Sequence, residues 1–135
     1  MTKVNLILTN WALNSYQELG QQHIFSKEEF WKIIRPDVLL LKDGYPSAHE
    51  IFNQSKFWGE ATLSGKVIQN AYKMKWHNFG CGRVQLRLCI VILKGNIYIC
   101  NGYVKDDKSD LREMAKLKLK IEKIKENKFV KLGVL

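Results

Sequence analysis

The chain has 135 residues, 46% apolar and 26% charged, a balance that excludes a disordered polypeptide and gives enough length for one domain with its own core. Lys and Arg number 22 against 13 Asp and Glu, for a net charge of +9. Such an excess suits a polyanionic partner: nucleic acid, a nucleoprotein, a membrane surface or an acidic protein.

Residues Lys3 to Thr9 read as a strand, and Trp11 to Gln22 as a helix capped by Asn10, with Trp11, Ser15 and Leu19 turned toward the same core as Leu8. Ser26-Lys27-Glu28-Glu29 is a capping-box start, a serine followed three residues later by glutamate. Phe30, Ile33, Ile34, Val38 and Leu41 continue a helical stripe, and Pro36 predicts a kink or break within it. Gly44 to Lys56 reads as a long loop with one short helical turn. Phe57 to Leu63 reads as a strand, joined through Ser64-Gly65 to a longer one over Lys66 to His77.

That longer strand sets the reading of the chain. Side chains alternate along a strand, so Tyr72, Met74 and Trp76 share one face and Lys73, Lys75 and His77 the other. After Asn78-Phe79-Gly80-Cys81-Gly82, of hairpin length, the pattern repeats: Val84, Leu86 and Leu88 on one side, Arg83, Gln85 and Arg87 on the other. The folded hairpin is expected to line a core with its apolar side. Its other side carries Lys73, Lys75, His77, Arg83 and Arg87 as a cationic patch, with no carboxylate on that face of either run. Leu88 to Leu93, a tight turn at Lys94-Gly95-Asn96, and Ile97 to Val104 follow as strands apolar on both faces, as in the middle of a covered sheet.

The last helix is predicted over Ser109 to Asn127, capped by Ser109. Leu111, Met114, Leu117, Ile121 and Ile124 form its docking stripe, and Lys116, Lys120, Lys123 and Lys125 a basic solvent face. On such a face Lys116, Lys120 and Lys123 are candidate RNA-binding residues, each phosphate they neutralise adding to salt dependence. Phe129 to Leu135 is a short apolar tail that packs or adds to a partner. Trp11, Trp31, Trp58 and Trp76 are expected in the core. The fold class is α+β: an antiparallel sheet, two N-terminal helices packed on one face and a basic C-terminal helix, in a single domain over residues 1–135.

The three cysteines, Cys81, Cys89 and Cys100, are odd in number and lack zinc-ligand spacing, which favours reduced thiols. No stretch approaches the ~20 apolar residues of a membrane span, and Val4 to Leu8 is too short for a signal peptide, so a cytoplasmic protein without a membrane partner is expected. There is no phosphate-binding glycine loop, and His23, His49 and His77 are far apart in sequence; no metal or cofactor is expected. What remains is chemistry done by cations on phosphates. A metal-independent ribonuclease needs a group to take the 2′-hydroxyl proton, cations around the pentacovalent phosphate and an acid for the leaving oxygen, roles open to lysine, arginine and histidine.

Tyr72-Lys73-Met74-Lys75-Trp76, a turn, Arg87 opening an apolar strand, then Gly102-Tyr103-Val104-Lys105 before a basic helix together resemble the RelE/HigB-type toxins of bacterial and phage toxin–antitoxin pairs, closest over Lys66 to Ala115. The resemblance implies a RelE/ParE-like fold, cleavage of mRNA on the ribosome without a metal, and a cognate antitoxin as partner. It places Lys73 and Lys75 at proton transfer and the scissile phosphate, and Arg87 on the phosphate, with Arg83 competing because the turn is longer. Lys105 matches the basic residue after the last strand. Two positions depart from the pattern: Asp106 stands where a second basic residue is typical, and Arg112 where a helix acid or base often sits. His77 or Tyr103 are the substitutes for the missing acid. The alternatives are a ParE-type toxin that inhibits DNA gyrase without cutting RNA, and a plain nucleic-acid-binding protein.

Overall fold

The computed structural model describes residues 5–43, 49–79 and 84–135. Six strands form one sheet: β1 (Asn5–Thr9), β2 (Trp58–Leu63), β3 (Lys66–Phe79), β4 (Val84–Leu93), β5 (Asn96–Val104) and β6 (Lys131–Val134), in the spatial order β2-β3-β4-β5-β1-β6. All neighbouring pairs are antiparallel except β1 with β5. The apolar tail is therefore the edge strand β6, paired with β1.

Both tight turns are two-residue hairpins. Leu63 pairs with Lys66 and Leu93 with Asn96. Their central residues, Ser64-Gly65 and Lys94-Gly95, all have positive φ, which matches the right-handed twist of the strands they join and explains a glycine in each. Asn70 also has positive φ, beside a register shift between β2 and β3. The shift adds three residues to β3, an odd number, which lets Ile68 and Ala71, three apart, reach the same side of the sheet.

Each face has its own cover. α1 (Asn10–Gln21) and an irregular helical stretch over residues 27–43 lie on the first. Leu6, Leu19, Phe25, Ile34, Val38, Met74, Trp76, Leu86, Ile90 and Ile97 belong to that core. The irregular stretch opens with α2 (Lys27–Glu29), where the capping box forms as its sequence predicts: Glu29 N–H donates to Ser26 Oγ at 3.0 Å and Ser26 N–H to Glu29 Oε1 at 2.9 Å. A π turn over Phe30–Ile34 then leads into α3 (Arg35–Leu39) and a 3₁₀ turn over Leu40–Asp43. Pro36, which has no N–H, sits in the first turn of α3, so the interruption is a wide turn rather than a break. Ile33 and Trp31 fall outside the buried stripe; Trp31 is 60% exposed and not a core residue.

α4 (Asp107–Lys125) covers the opposite face, packing Met114, Leu117, Ile121 and Ile124 onto Ala71, Cys89, Val91, Cys100 and Tyr103. Trp11 packs against this second core and stacks on Phe129 at 6.1 Å, so it is not in Leu8's core. Leu111, expected in the docking stripe, is 57% exposed. Stepping back from Ile124 by three and four residues leads through Ile121, Leu117 and Met114 to Asp110 instead. Thr9 caps α1 in place of Asn10, and Asp106 caps α4 in place of Ser109, accepting from Ser109 N–H at 2.8 Å. Cys89 and Cys100 are free thiols buried beneath α4; burial pushes both up, Cys100 to about 12. Cys81 lies outside the described residues. No helix among the described residues is long and apolar enough to cross a membrane.

Candidate functional site

The pleat of β3 turns Lys73 and Lys75 toward α4, away from Tyr72, Met74 and Trp76. Lys75 is directly opposite Arg87 on β4, and Arg87 is opposite Tyr103 on β5. One row thus crosses three strands, and Lys73 stands one pleat behind it, opposite Cys89 and Gly59. Two of the expected cations are almost out of solvent: Lys73 is 9% exposed and Arg87 5%. The cationic face is therefore covered at those two positions, half-buried at Lys75 and exposed at His77.

Its cover supplies the carboxylate that the strands lack. Lys73 Nζ lies 3.4 Å from Asp110 Oδ1, and the same oxygen accepts a short hydrogen bond from Tyr103 Oη. Asp110 projects from the first turns of α4 and ties the helix to β3 and β5 at once. Tyr103 keeps its proton well above the usual phenol range, chiefly because it is buried. Arg87 donates to Gln85 Oε1 at 2.8 Å and to the Leu86 carbonyl at 3.3 Å. Burial lowers its pKa, with Tyr103 and Asp110 pulling the other way, and the guanidinium remains a cation.

Lys75 is held differently. Its ammonium donates to the Ser55 carbonyl at 2.9 Å, and the side chain passes over Gly59, where an added Cβ would come within 3.1 Å of Nζ. Desolvation is the first cause that lowers its pKa, followed by the charges of Lys73, Arg87 and Lys105, while Asp110 opposes. A lysine held in this way gives up its proton more readily than a solvated one. Lys105 is exposed at the end of β5, its backbone N–H bound to the Gln85 carbonyl at 2.8 Å. His77 is exposed farther along β3, its Nε2 at 2.7 Å from the Lys56 carbonyl, which makes that nitrogen the donor. Arg83 lies outside the described residues.

The departures from the family pattern have local roles. Asp106 binds Ser109 N–H and accepts from the Ser109 hydroxyl at 3.1 Å, and these bonds hold its carboxyl below the usual range. Arg112 is exposed and reaches Ser109 Oγ at 3.3 Å. On α4, Lys116 and Lys123 face solvent as expected. Lys120 does not: its ammonium bends inward to Asn101 Oδ1 at 2.6 Å and sits 5.5 Å from the Trp11 ring centre, and burial lowers its pKa. Asn101 in turn donates to Glu113, so the basic face loses one of its expected members to a buried polar chain. Beside Tyr103, a polar cleft of about 580 Å³ opens between α1, β5 and α4, edged by Arg112, Glu113, Lys116 and Lys120. Its size is that of a small-ligand site.

Sequence reasoning missed Asp110, Gly59 and Ser55. Asp110 was within reach, because the three–four spacing of the buried stripe leads to it. Gly59 and Ser55 act through backbone position, which leaves no side-chain signal. Among the described residues no three His, Cys, Asp or Glu gather as a metal site. No protein-family model, curated protein or solved structure matches the chain.

Proposed function

We propose that this chain is the toxin of a toxin–antitoxin pair, a metal-independent endoribonuclease of the RelE/HigB kind, with a RelE/ParE-like fold, that cuts mRNA on the translating ribosome and is held by a cognate antitoxin. The observation that carries the proposal is the row Lys75–Arg87–Tyr103 with Lys73 one pleat behind it. In the proposed reaction Lys75, as the amine, takes the 2′-hydroxyl proton. The 2′-oxygen bonds to phosphorus and the bond to the 5′-oxygen breaks, leaving a 2′,3′-cyclic phosphate. Arg87 and Lys73 bear the charge that builds on the phosphate oxygens. The leaving oxygen needs a proton, and the exposed members of the set, Lys105 and His77, are the groups placed at the rim to give it. Tyr103, bound to Asp110 and buried, positions the row. Lys116 and Lys123 supply grip on ribosomal RNA.

The test is a bacterial translating extract in which new mRNA 5′ ends are mapped with and without ribosomes. Wild-type protein gives ends only with ribosomes, and Lys75→Ala gives none while still folding. Lys75→Arg keeps the charge but cannot act as a base, so it also fails to cut. Cleavage by Lys75→Ala would remove Lys75 from the mechanism. A second reading draws support from the burial and existing partners of Lys73 and Arg87: a ParE-type toxin that inhibits DNA gyrase by binding alone. Absence of new ends together with inhibition of supercoiling selects it.

A further inference from the structure

On the opposite side of the sheet from the cationic row, a cavity of about 260 Å³ lies between α1, the π turn and α3, and β4 and β5. Tyr16, Phe25, Phe30, Ile34, Val38 and Leu86 are among the residues that line it. Close-packed domains leave few voids larger than a water molecule, and apolar cavities of about 150 Å³ stay dry and take up benzene. This one is larger, so it has room for an alkyl chain.

The Ser15 hydroxyl on its wall already has both of its partners. Ser15 Oγ donates to the Ala12 carbonyl at 2.9 Å and accepts from Gly102 N–H at 2.9 Å. Arg87 borders the cavity through its backbone: its carbonyl lies 3.4 Å from where a Cβ on Gly102 would stand, while its guanidinium binds Gln85. A nucleobase or sugar inside would bury polar groups without partners, at a cost that excludes it. Arg35 also lines the cavity. It is half-buried, its guanidinium carbon 5.3 Å from the Trp31 ring centre, and among the described residues it makes no ion pair. The exposed Trp31 ring orients it and extends the apolar rim.

We propose that this cavity binds a single-chain alkyl carboxylate, with the chain among the aromatic and aliphatic walls and the carboxylate on the Arg35 guanidinium. A half-open wall made almost wholly of apolar side chains suits an apolar chain, and a planar carboxylate is the head group that a guanidinium fork takes in two parallel hydrogen bonds. The site is separate from the row on the other face, so the proposal stands whether or not that row cuts RNA.

Calorimetric titration of the full chain with octanoate, and with 1-octanol as its uncharged counterpart, tests this. Octanoate is expected to saturate one site per chain and to bind about tenfold more tightly than octanol, the yield of one charge-assisted contact. Arg35→Gln should bring octanoate down to the level of octanol. Because the chain is basic throughout, Lys66→Gln at the far edge of the sheet serves as the charge control and should change nothing. Ala12→Phe, which fills the cavity, should abolish both ligands. Should that variant not fold, methyl shifts of Leu86 and Leu88 on adding octanoate to the wild-type protein locate the site instead. No binding, equal binding of acid and alcohol, unaltered binding by Arg35→Gln, or silent Leu86 and Leu88 methyls would each overturn the proposal.

Discussion

The two faces of the sheet solve the same burial problem by different means. Under α1 and α3, β3 and β4 present Met74, Trp76, Leu86 and Ile90, and the covering chain answers with Ile34 and Val38 from its helical stretch and Phe25 from the connection before it. Under α4 the same two strands present Ala71, Lys73, Lys75, Arg87 and Cys89. The helix answers with Met114, Leu117 and Ile121 over one half and Asp110 over the other. The first face is built mainly from apolar area, with the Asp37–Trp76 hydrogen bond at its margin. The second depends on polar groups meeting partners in correct geometry, because a buried cation without one is costly. A sheet can therefore hold cations such as Lys73 and Arg87 largely out of water, provided its covering helix changes character along its length.

The largest expected effect comes from giving the first face the chemistry of the second. Met74 is fully buried between Lys73 and Lys75 in sequence but faces the aromatic core. Met74→Lys places an ammonium in that aromatic core, where the Asp37 carboxylate is already taken by Trp76, and should cost about 4 kcal/mol or more, enough to unfold a domain of ordinary stability. Denaturant unfolding checks it; a Met74→Lys protein that melts near the wild type would show that this face, too, tolerates charge.

Next comes the partner of the second face. Asp110→Ala leaves Lys73 without its carboxylate and Tyr103 Oη without its acceptor, and should cost about 2–3 kcal/mol. Lys73→Met, which swaps the cation for an apolar chain and leaves Tyr103 its bond to Asp110, should cost less than about 1 kcal/mol. Equal costs for the two, measured by denaturant unfolding, would mean that the carboxylate does not hold the site together.

These two effects mark how far the sequence could be read. Alternation in β3 and β4 separated Met74 and Trp76 from Lys73, Lys75 and Arg87 correctly, and the capping box at Ser26 formed where a serine and glutamate three apart require it. The sequence pattern carried no information about which helix would cover the cations, since packing of α4 is a tertiary choice made by Met114, Leu117 and Ile121 together. Counting Leu111 into that stripe, rather than Asp110, hid the carboxylate and made a covered face look solvated. Lys120 was misplaced for a related reason: a helix face reads as basic from spacing alone, whereas Asn101 and Trp11, which draw the side chain inward, lie on β5 and α1. The tail from Lys131 offered four residues with no partner nearby in sequence, so its pairing with β1 was not legible.

A smaller effect separates the faces by pH. Asp37 of α3 accepts from Trp76 Nε1–H at 2.8 Å, a carboxylate set against the apolar side. Burial raises its pKa, opposed by the bond from Trp76. Between the ordinary carboxylate range and the raised folded value, the folded chain binds more protons than the unfolded one, so stability falls as pH rises through that window. Asp37→Asn keeps an acceptor for the indole and removes the titration. It should melt above the wild type at neutral pH, with the difference closing as pH falls to the ordinary carboxylate range. A gap independent of pH would assign the gain to something other than the buried charge.

The smallest effect on stability is expected at Gly59, and it is the most informative about the second face. An alanine there brings its Cβ to 3.1 Å from Lys75 Nζ and 3.6 Å from Cε, and the far end of a lysine moves aside cheaply. Stability should change by no more than about 0.5 kcal/mol, and the loss of glycine's freedom in the unfolded chain favours a slight gain. The ammonium, however, loses its seat on the Ser55 carbonyl. If Lys75 takes the 2′-hydroxyl proton, displacing it by about 1 Å lowers cleavage by as much as about 100-fold in a protein that folds as well as before. Unfolding curves and 5′-end mapping on the same preparation read the two quantities apart. Unchanged stability with unchanged cleavage would mean that the position of Lys75 is a consequence of packing over Gly59, and the search for the proton acceptor would pass to Lys73.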